Sequence, residues 1–261
     1  MKWLGRWSRW RDDESVEVRV SEDAGVRYLH LGSHTVQSAM RVARPEQLVL
    51  AYTRTAMAFL LFDSQPKDIV SVGLGGGSMQ KWLRQQLPDA RLHVIELHDE
   101  VVRVAHAHFA VPVADEQFRI VIEDAAHWIS RRQDFADILI VDGYDGRGQA
   151  ESICSEAFYR DAFSHLTDSG ILVVNLWGSD KRFDSYVQRI EAAFSGRVIC
   201  VPAAEKGNVI ALAFRRPPHP TDWHTLTARA QELEANHGLE FTQMVAAMKR
   251  LNLHSDKRLL V

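Results

Sequence analysis

Between residues 68 and 214 short apolar runs alternate with amphipathic stretches, and this alternation restricts the chain to few folds. DIVSVGL (68–74), RLHVIEL (91–97), FRIVIED (118–124), ADILIVD (136–142) and ILVVNLW (171–177) read as strands. Between them SMQKWLRQQL (78–87), DEVVRVAHAHF (99–109), a short stretch at 127–131, EAFYRDAFSHL (156–166) and RFDSYVQRIEAAF (182–194) read as helices, most with apolar residues at helical spacing. Apolar strands each followed by a helix predict a parallel sheet covered on both faces. The last two strands, RVICVP (197–202) and NVIALAF (208–214), are joined by AAEKG, too short for a crossover. One of them is therefore expected to run antiparallel.

This is the pattern of an α/β chain with a methyltransferase-like Rossmann fold, a mostly parallel seven-stranded sheet with helices on both faces. Ahead of it, VEVRV, VRYLHLG and HTVQSAMRV, separated by turn-like EDAG and GSH, predict a small antiparallel β unit. The expected division is a β unit over 14–44, a nucleoside-binding domain over 45–216 and a helical tail over 217–261. In MKWLGRWSRWRDDE, Trp3, Trp7 and Trp10 recur at helix-like spacing among Arg6, Arg9 and Arg11. A membrane-surface helix fits this pattern. A tryptophan-bearing arm that packs on its own domain or a twin subunit fits better, and there is no apolar core of a signal peptide.

The whole chain narrows the partners. At 261 residues and a net charge of −3 it has no global basic field, which argues against nucleic acid. No apolar run reaches the ~18 residues of a membrane span. Cys154 and Cys200 lack metal-site spacing and fit a reducing, cytoplasmic compartment. With no HExxH motif, and with His106 and His108 on different helix faces, no metal is expected.

Open α/β sheets bind ligands where strands end, so the residues leaving each strand matter most. The first strand exits into Gly73-Leu74-Gly75-Gly76-Gly77-Ser78. Such a turn lets backbone approach a ligand, though close strand–helix packing explains it equally well. The second strand ends at Glu96, at the ~20-residue distance where an acid accepts hydrogen bonds from ribose hydroxyls. Helix capping is its competitor, and together with the glycines ribose binding is preferred. The third ends at Asp124-Ala125, where the acid either accepts from an exocyclic amine such as adenine's or caps the next helix. The fourth ends at Asp142-Gly143-Tyr144-Asp145. One acid after a strand is a turn; this succession is a constellation.

In these motifs the sequence resembles the spermidine synthase (polyamine aminopropyltransferase) family over about residues 37–214. The family's GGGDGG falls on Gly73 to Ser78, its ribose acid on Glu96, its adenine-contacting acid on Asp124-Ala125, and its catalytic D-x-x-D on Asp142 and Asp145. Its hairpin Gln and following Tyr fall on Gln37 and Tyr52. The resemblance implies decarboxylated S-adenosylmethionine as aminopropyl donor, a di- or polyamine acceptor and a homodimer. Asp142 then takes the proton of the attacking amine and Asp145 anchors the acceptor. Tyr144 and Trp177 face the cationic substrates, at about 0.5–2 kcal/mol each, although core packing explains Trp177 as well.

Three departures separate the chain from that pattern. Gly76 stands where the family has Asp, Gly143-Tyr144 replaces its small residues and Gly146 its Pro, and AAEKGNV stands where it has Thr-Tyr-Pro. An acid at position 76 would repel the carboxylate of intact S-adenosylmethionine. Its loss leaves an S-adenosylmethionine-dependent methyltransferase on the same scaffold as the alternative. A nucleoside-binding protein without turnover is a third reading, which the paired acids oppose.

Overall fold

The computed structural model describes residues 2–7, 17–32, 35–145, 148–204 and 207–261; for 2–7, 145, 148 and 149 the description covers the backbone alone. The chain opens with four antiparallel strands in sequential order, β1 (Lys2–Trp7), β2 (Val18–Asp23), β3 (Val26–Leu31) and β4 (Val36–Arg41). The first of these precedes the expected β unit over 14–44 and falls in the segment read as a tryptophan-bearing arm. Trp3 and Trp7 have helix-like spacing, yet residues 2–7 are extended and pair with β2, Trp7 opposite Val18 and Lys2 opposite Glu22. A strand neighbour satisfies backbone that a short Gly5-containing segment could not satisfy as an isolated helix. Trp10 and the arginines at 9 and 11 lie outside the described residues.

Helix α1 (Ala51–Ala56) and a 3-10 turn (Met57–Leu61) lead into the large sheet. There β5 (Asp68–Val72), α2 (Ser78–Gln86), β6 (Arg91–Glu96), α3 (Asp99–His108), β7 (Phe118–Ile122), α4 (Ala125–Ser130) and β8 (Ala136–Val141) follow in turn. A minimal hairpin of β9 (Tyr144–Asp145) and β10 (Gly148–Gln149) precedes α5 (Glu156–His165), β11 (Leu166–Trp177), α6 (Phe183–Phe194), β12 (Val198–Pro202) and β13 (Asn208–Phe214). Helices α7 (Trp223–His237) and α8 (Phe241–Leu251) close the chain.

The seven strands lie in the order β12-β13-β11-β8-β5-β6-β7. The antiparallel strand is β13, which runs against both β11 and β12. Side chains alternate across the sheet with period two. Ile69, Ile138, Ile171 and Ile210 join one core with α1, α2, α7 and α8. Val70, Leu139, Leu172 and Ala211 join another with α4, α5 and α6. Burying each such side chain contributes about 1.5–3 kcal/mol, so the tail helices are part of the sheet's stability. Val101 and Val104 of helix α3, with Phe109 just after it, pack against Val18, Val20, Leu29 and Met40, and this contact fixes the N-terminal sheet to the body. The edge strand β12 is covered by a side chain acting as backbone. Asn252 accepts from Cys200 N–H at 2.7 Å and donates to its carbonyl at 2.8 Å, so the edge offers fewer groups for pairing with another chain.

One core residue makes the fold sensitive to acid. His165, fully buried, donates from Nδ1 to the Arg132 carbonyl at 3.2 Å, while Nε2 has no partner among the described residues. Burial pushes its pKa down to about 4. The unfolded chain, with an ordinary value near 6.5, binds the proton first, so stability that is complete above about pH 6.5 is lost as pH falls toward 4. Between pH 7 and 5 the wild type should lose about 2 kcal/mol that His165→Phe does not lose. Denaturant unfolding of both at the two pH values tests this; equal losses would place the acid sensitivity elsewhere.

Candidate active site

The order of strands reverses between β5 and β8, which opens a crevice at their carboxyl ends. The two chain exits there are locked together. Asp142 N–H donates to the Val72 carbonyl at 3.0 Å, and Gly73 N–H donates to Ile95 at 2.8 Å. Gly73 has φ +89°, and a Cβ on it would overlap the Asp142 carbonyl oxygen. Glycine is therefore required by both conformation and space. The turn continues through Gly75 (φ +52°) and Gly77 (φ +65°) into α2.

Glu96, at the end of β6, is buried and reaches both sides of the crevice floor. One carboxylate oxygen accepts from Leu74 N–H at 2.9 Å and the other from His98 N–H at 3.0 Å. Each oxygen keeps a lone pair, which suits it to two neighbouring hydroxyls. Asp124 caps α4, accepting from His127 N–H at 2.9 Å through Oδ1. Capping thus explains this acid locally, and Oδ2 and the first N–H groups of α4 remain for a ligand edge. Ala125 is buried behind it. Two side chains that the sequence reading missed, Leu97 (53% exposed) and Ile122 (50%), stand at the same strand ends. Large exposed aliphatics beside buried acids form an apolar shelf suited to a flat heterocycle. The signal was their position, one after Glu96 and two before Asp124.

Asp142 leaves β8 half-buried and tied on both oxygens. Oδ1 accepts from Asn175 Nδ2 at 2.8 Å, and Oδ2 lies 3.1 Å from the Tyr52 hydroxyl. That hydroxyl is also 3.2 Å from the Gln37 carbonyl, and its single proton serves one acceptor at a time. Gln37 thus enters through its backbone. Burial raises the Asp142 carboxyl above the ordinary carboxylate range, and the bonds from Asn175 and Tyr52 oppose that shift. The same burial and the nearby Asp142 push the Tyr52 and Tyr144 phenols up, so both stay protonated.

Asn175 is held in turn by Asn208 Nδ2 at 2.9 Å, and its carbonyl accepts from the Tyr144 hydroxyl at 3.0 Å. This amide relay was not foreseen; its only trace was a polar residue inside the apolar run ILVVNLW. Trp177, two residues on, is 45% exposed rather than packed in the core. Its ring lies against Gly207, where a Cβ would come within 3.0 Å of the indole. The structure thus brings Tyr52, Gln37, Gly73, Asp142, Tyr144 and Asn175 together, with Trp177 on the same strand end. The side chain of Asp145 lies outside the described residues. Among the described residues no group of three His, Cys, Asp or Glu side chains could hold a metal ion.

Gly76 has a concrete cause. A Cβ there would sit 2.7 Å from Ser38 Oγ and 2.8 Å from the Phe109 ring, because β4 and the end of α3 close over the turn. Ser38 also approaches Ser78 Oγ at 3.1 Å, which binds the N-terminal sheet to the glycine turn.

Solved structures first place the architecture. A probable spermidine synthase from Corynebacterium glutamicum superposes over 98% of this chain and 99% of that one, with a TM-score of 0.72 at 18% identity. Human methyltransferase-like protein 13 superposes over 73% and 93%, with a TM-score of 0.64 at 21% identity. At such identities the likeness is one of fold, the methyltransferase-like α/β sheet. Sequence carries it further. The polyamine aminopropyltransferases of Chromobacterium violaceum and Neisseria meningitidis serogroup A are 40% and 38% identical, over 94% and 92% of this chain and equal shares of their own lengths. Residues 50–214 match the spermine/spermidine synthase domain. The chain belongs to the spermine/spermidine synthase family.

Proposed function

We propose that the protein transfers the aminopropyl group of decarboxylated S-adenosylmethionine to a di- or polyamine, with Asp142 as the base. The observation that carries this is the half-buried Asp142 carboxylate at the strand reversal, held on both oxygens beside Tyr144. Glu96 takes the ribose hydroxyls, while Asp124 and the N–H groups around Ala125 take the adenine edge over Leu97 and Ile122. Glycines 73, 75, 76 and 77 let the backbone approach the nucleoside, with Gln37 and Tyr52 closing the side toward the N-terminal sheet.

The acceptor nitrogen attacks the aminopropyl carbon bonded to the sulfonium. The carbon–sulfur bond breaks, its electron pair neutralises sulfur, and 5′-methylthioadenosine leaves. The proton of the new ammonium passes to Asp142, directly or through water. Tyr144 and Trp177 stabilise the cations by facing them, and Asp145 anchors the distal amine. No metal is needed, because the leaving group is already activated by its positive charge.

The family resemblance further supports a homodimer, and two cysteines without a disulfide fit a cytoplasmic location. Among the described residues no helix is long and apolar enough to cross a membrane. The same reading places the substrate sites mainly within residues 45–216, with Gln37 of the 14–44 unit closing one side and 217–261 as a flanking unit.

The test is turnover. Decarboxylated S-adenosylmethionine with putrescine or a longer polyamine should yield 5′-methylthioadenosine and the extended amine in equal amounts, and intact S-adenosylmethionine should yield neither. Gly76 makes the second arm informative, since no acid at that position repels the intact donor's carboxylate. Methyl transfer from the intact donor without 5′-methylthioadenosine would replace this reading with the methyltransferase.

A further inference from the structure

Lys81 is the buried charged group that the reaction leaves unexplained. Its side chain, on α2, is 7% exposed and folds back over the glycine turn. Nζ donates to the Gly76 carbonyl at 3.1 Å, to the Phe109 carbonyl at 2.5 Å and to Met40 Sδ at 3.2 Å. An ammonium has three N–H donors, and all three are used. Among the described residues no carboxylate forms an ion pair with it; Glu46 acts on its charge only from farther away.

Burying a charge this way is costly, so an apolar side chain would serve packing better. Part of the cost is offset because the Phe109 carbonyl ends α3, where the helix dipole favours a cation. The remaining partner is specific. The Gly76–Gly77 peptide is pinned at both atoms, its carbonyl by Lys81 and its N–H by the Leu74 carbonyl at 2.8 Å. Leu74 N–H is held by Glu96. Among the described residues, Gly75 and Gly76 keep N–H groups in this turn without a partner in the protein, as does Ser78 where α2 begins. Both neighbours of Gly76 have left-handed φ, so without the pin this peptide has alternative orientations of similar energy.

We propose that Lys81 is a positioning residue for the donor. It sets the glycine turn so that the N–H groups of Gly75 and Gly76 are presented to the nucleoside, and it ties that turn to β4 and α3 in one step. This rests on the reading of the turn as the donor site.

The test is calorimetric titration of 5′-methylthioadenosine into wild type and Lys81→Met, followed by steady-state kinetics. Lys81→Met is expected to weaken nucleoside binding about ten-fold and raise donor KM similarly, with kcat and acceptor KM within about two-fold. Wild type that does not bind the nucleoside would sink the donor-site reading itself. Wild type that binds, with Lys81→Met binding equally well, would overturn the role of Lys81 alone. Equal damage to kcat and to both KM values would show a merely structural group and also overturn it. If Lys81→Met does not fold, Lys81→Gln, which keeps two donors without charge, decides by the same measurements, with an intermediate loss of nucleoside affinity expected.

Discussion

Asp142→Asn is expected to lower aminopropyl transfer by about 10²- to 10⁴-fold while nucleoside affinity stays within about three-fold. The geometry explains why the two effects separate. The new amide oxygen can accept from Asn175 as Oδ1 does now, and the amide N–H groups then face the Tyr52 hydroxyl. That hydroxyl accepts from them and turns its own proton to the Gln37 carbonyl, already 3.2 Å away. The network survives, and only the capacity to take a proton is lost. A pH profile provides the second reading. Burial raises the Asp142 carboxyl, so the wild-type rate should climb with pH through a limb above the ordinary carboxylate range. In Asp142→Asn that limb should vanish from the residual rate. A variant that loses nucleoside binding in proportion to rate would remove Asp142 from the role of base.

Much of this site is legible in the sequence, because its residues are tied to strand ends. Short apolar runs locate the ends of β5, β6, β7 and β8, and Gly73, Glu96, Asp124 and Asp142 follow at once. What was hidden depends on register between distant segments. Asn175 meets Asn208 because Trp177 pairs with Asn208 across β11 and β13, which places the two amides diagonally on one face. No local pattern in either segment announces this. The occupancy beside Gly76 comes from Ser38, far away in sequence, and the contacts of Lys81 come from β4 and α3. The N-terminal strand misleads for the opposite reason. The spacing of Trp3 and Trp7 satisfies a helical template, but pairing with β2 decides, and propensity in six residues is too weak to resist it. Asp124 shows a third case: cap and ligand acceptor are compatible, since one oxygen serves the helix, so local chemistry could not choose between them.

Gly73→Ala is expected to disable the protein more completely than any other single methyl addition in the glycine turn. Two costs coincide. The backbone is at φ +89°, which an L side chain adopts only with strain, and the new Cβ would overlap the carbonyl oxygen of Asp142. That oxygen belongs to backbone at the exit of β8, directly beyond the Val72–Val141 pairing in the middle of the sheet. It cannot swing aside as the tip of a flexible side chain would. Relief requires β5 and β8 to part at the strand reversal, displacing the very residue whose carboxylate is the proposed base. Together these amount to roughly 3–5 kcal/mol, or a fall in Tm of about 10 °C or more. Gly25→Ala supplies the control, because Gly25 has a similar φ of +74° and a Cβ there meets nothing within 4 Å. It carries the conformational cost without the collision, so thermal unfolding of the two variants separates the terms. Equal losses would mean that the sheet yields at its centre without resistance, and the tight apposition of glycine turn and Asp142 would then not be what holds the site in register. A much larger loss in Gly73→Ala, with transfer abolished even where the protein remains folded, is the expected result, since the same backbone contact that closes the sheet also sets the position of Asp142, the proposed base.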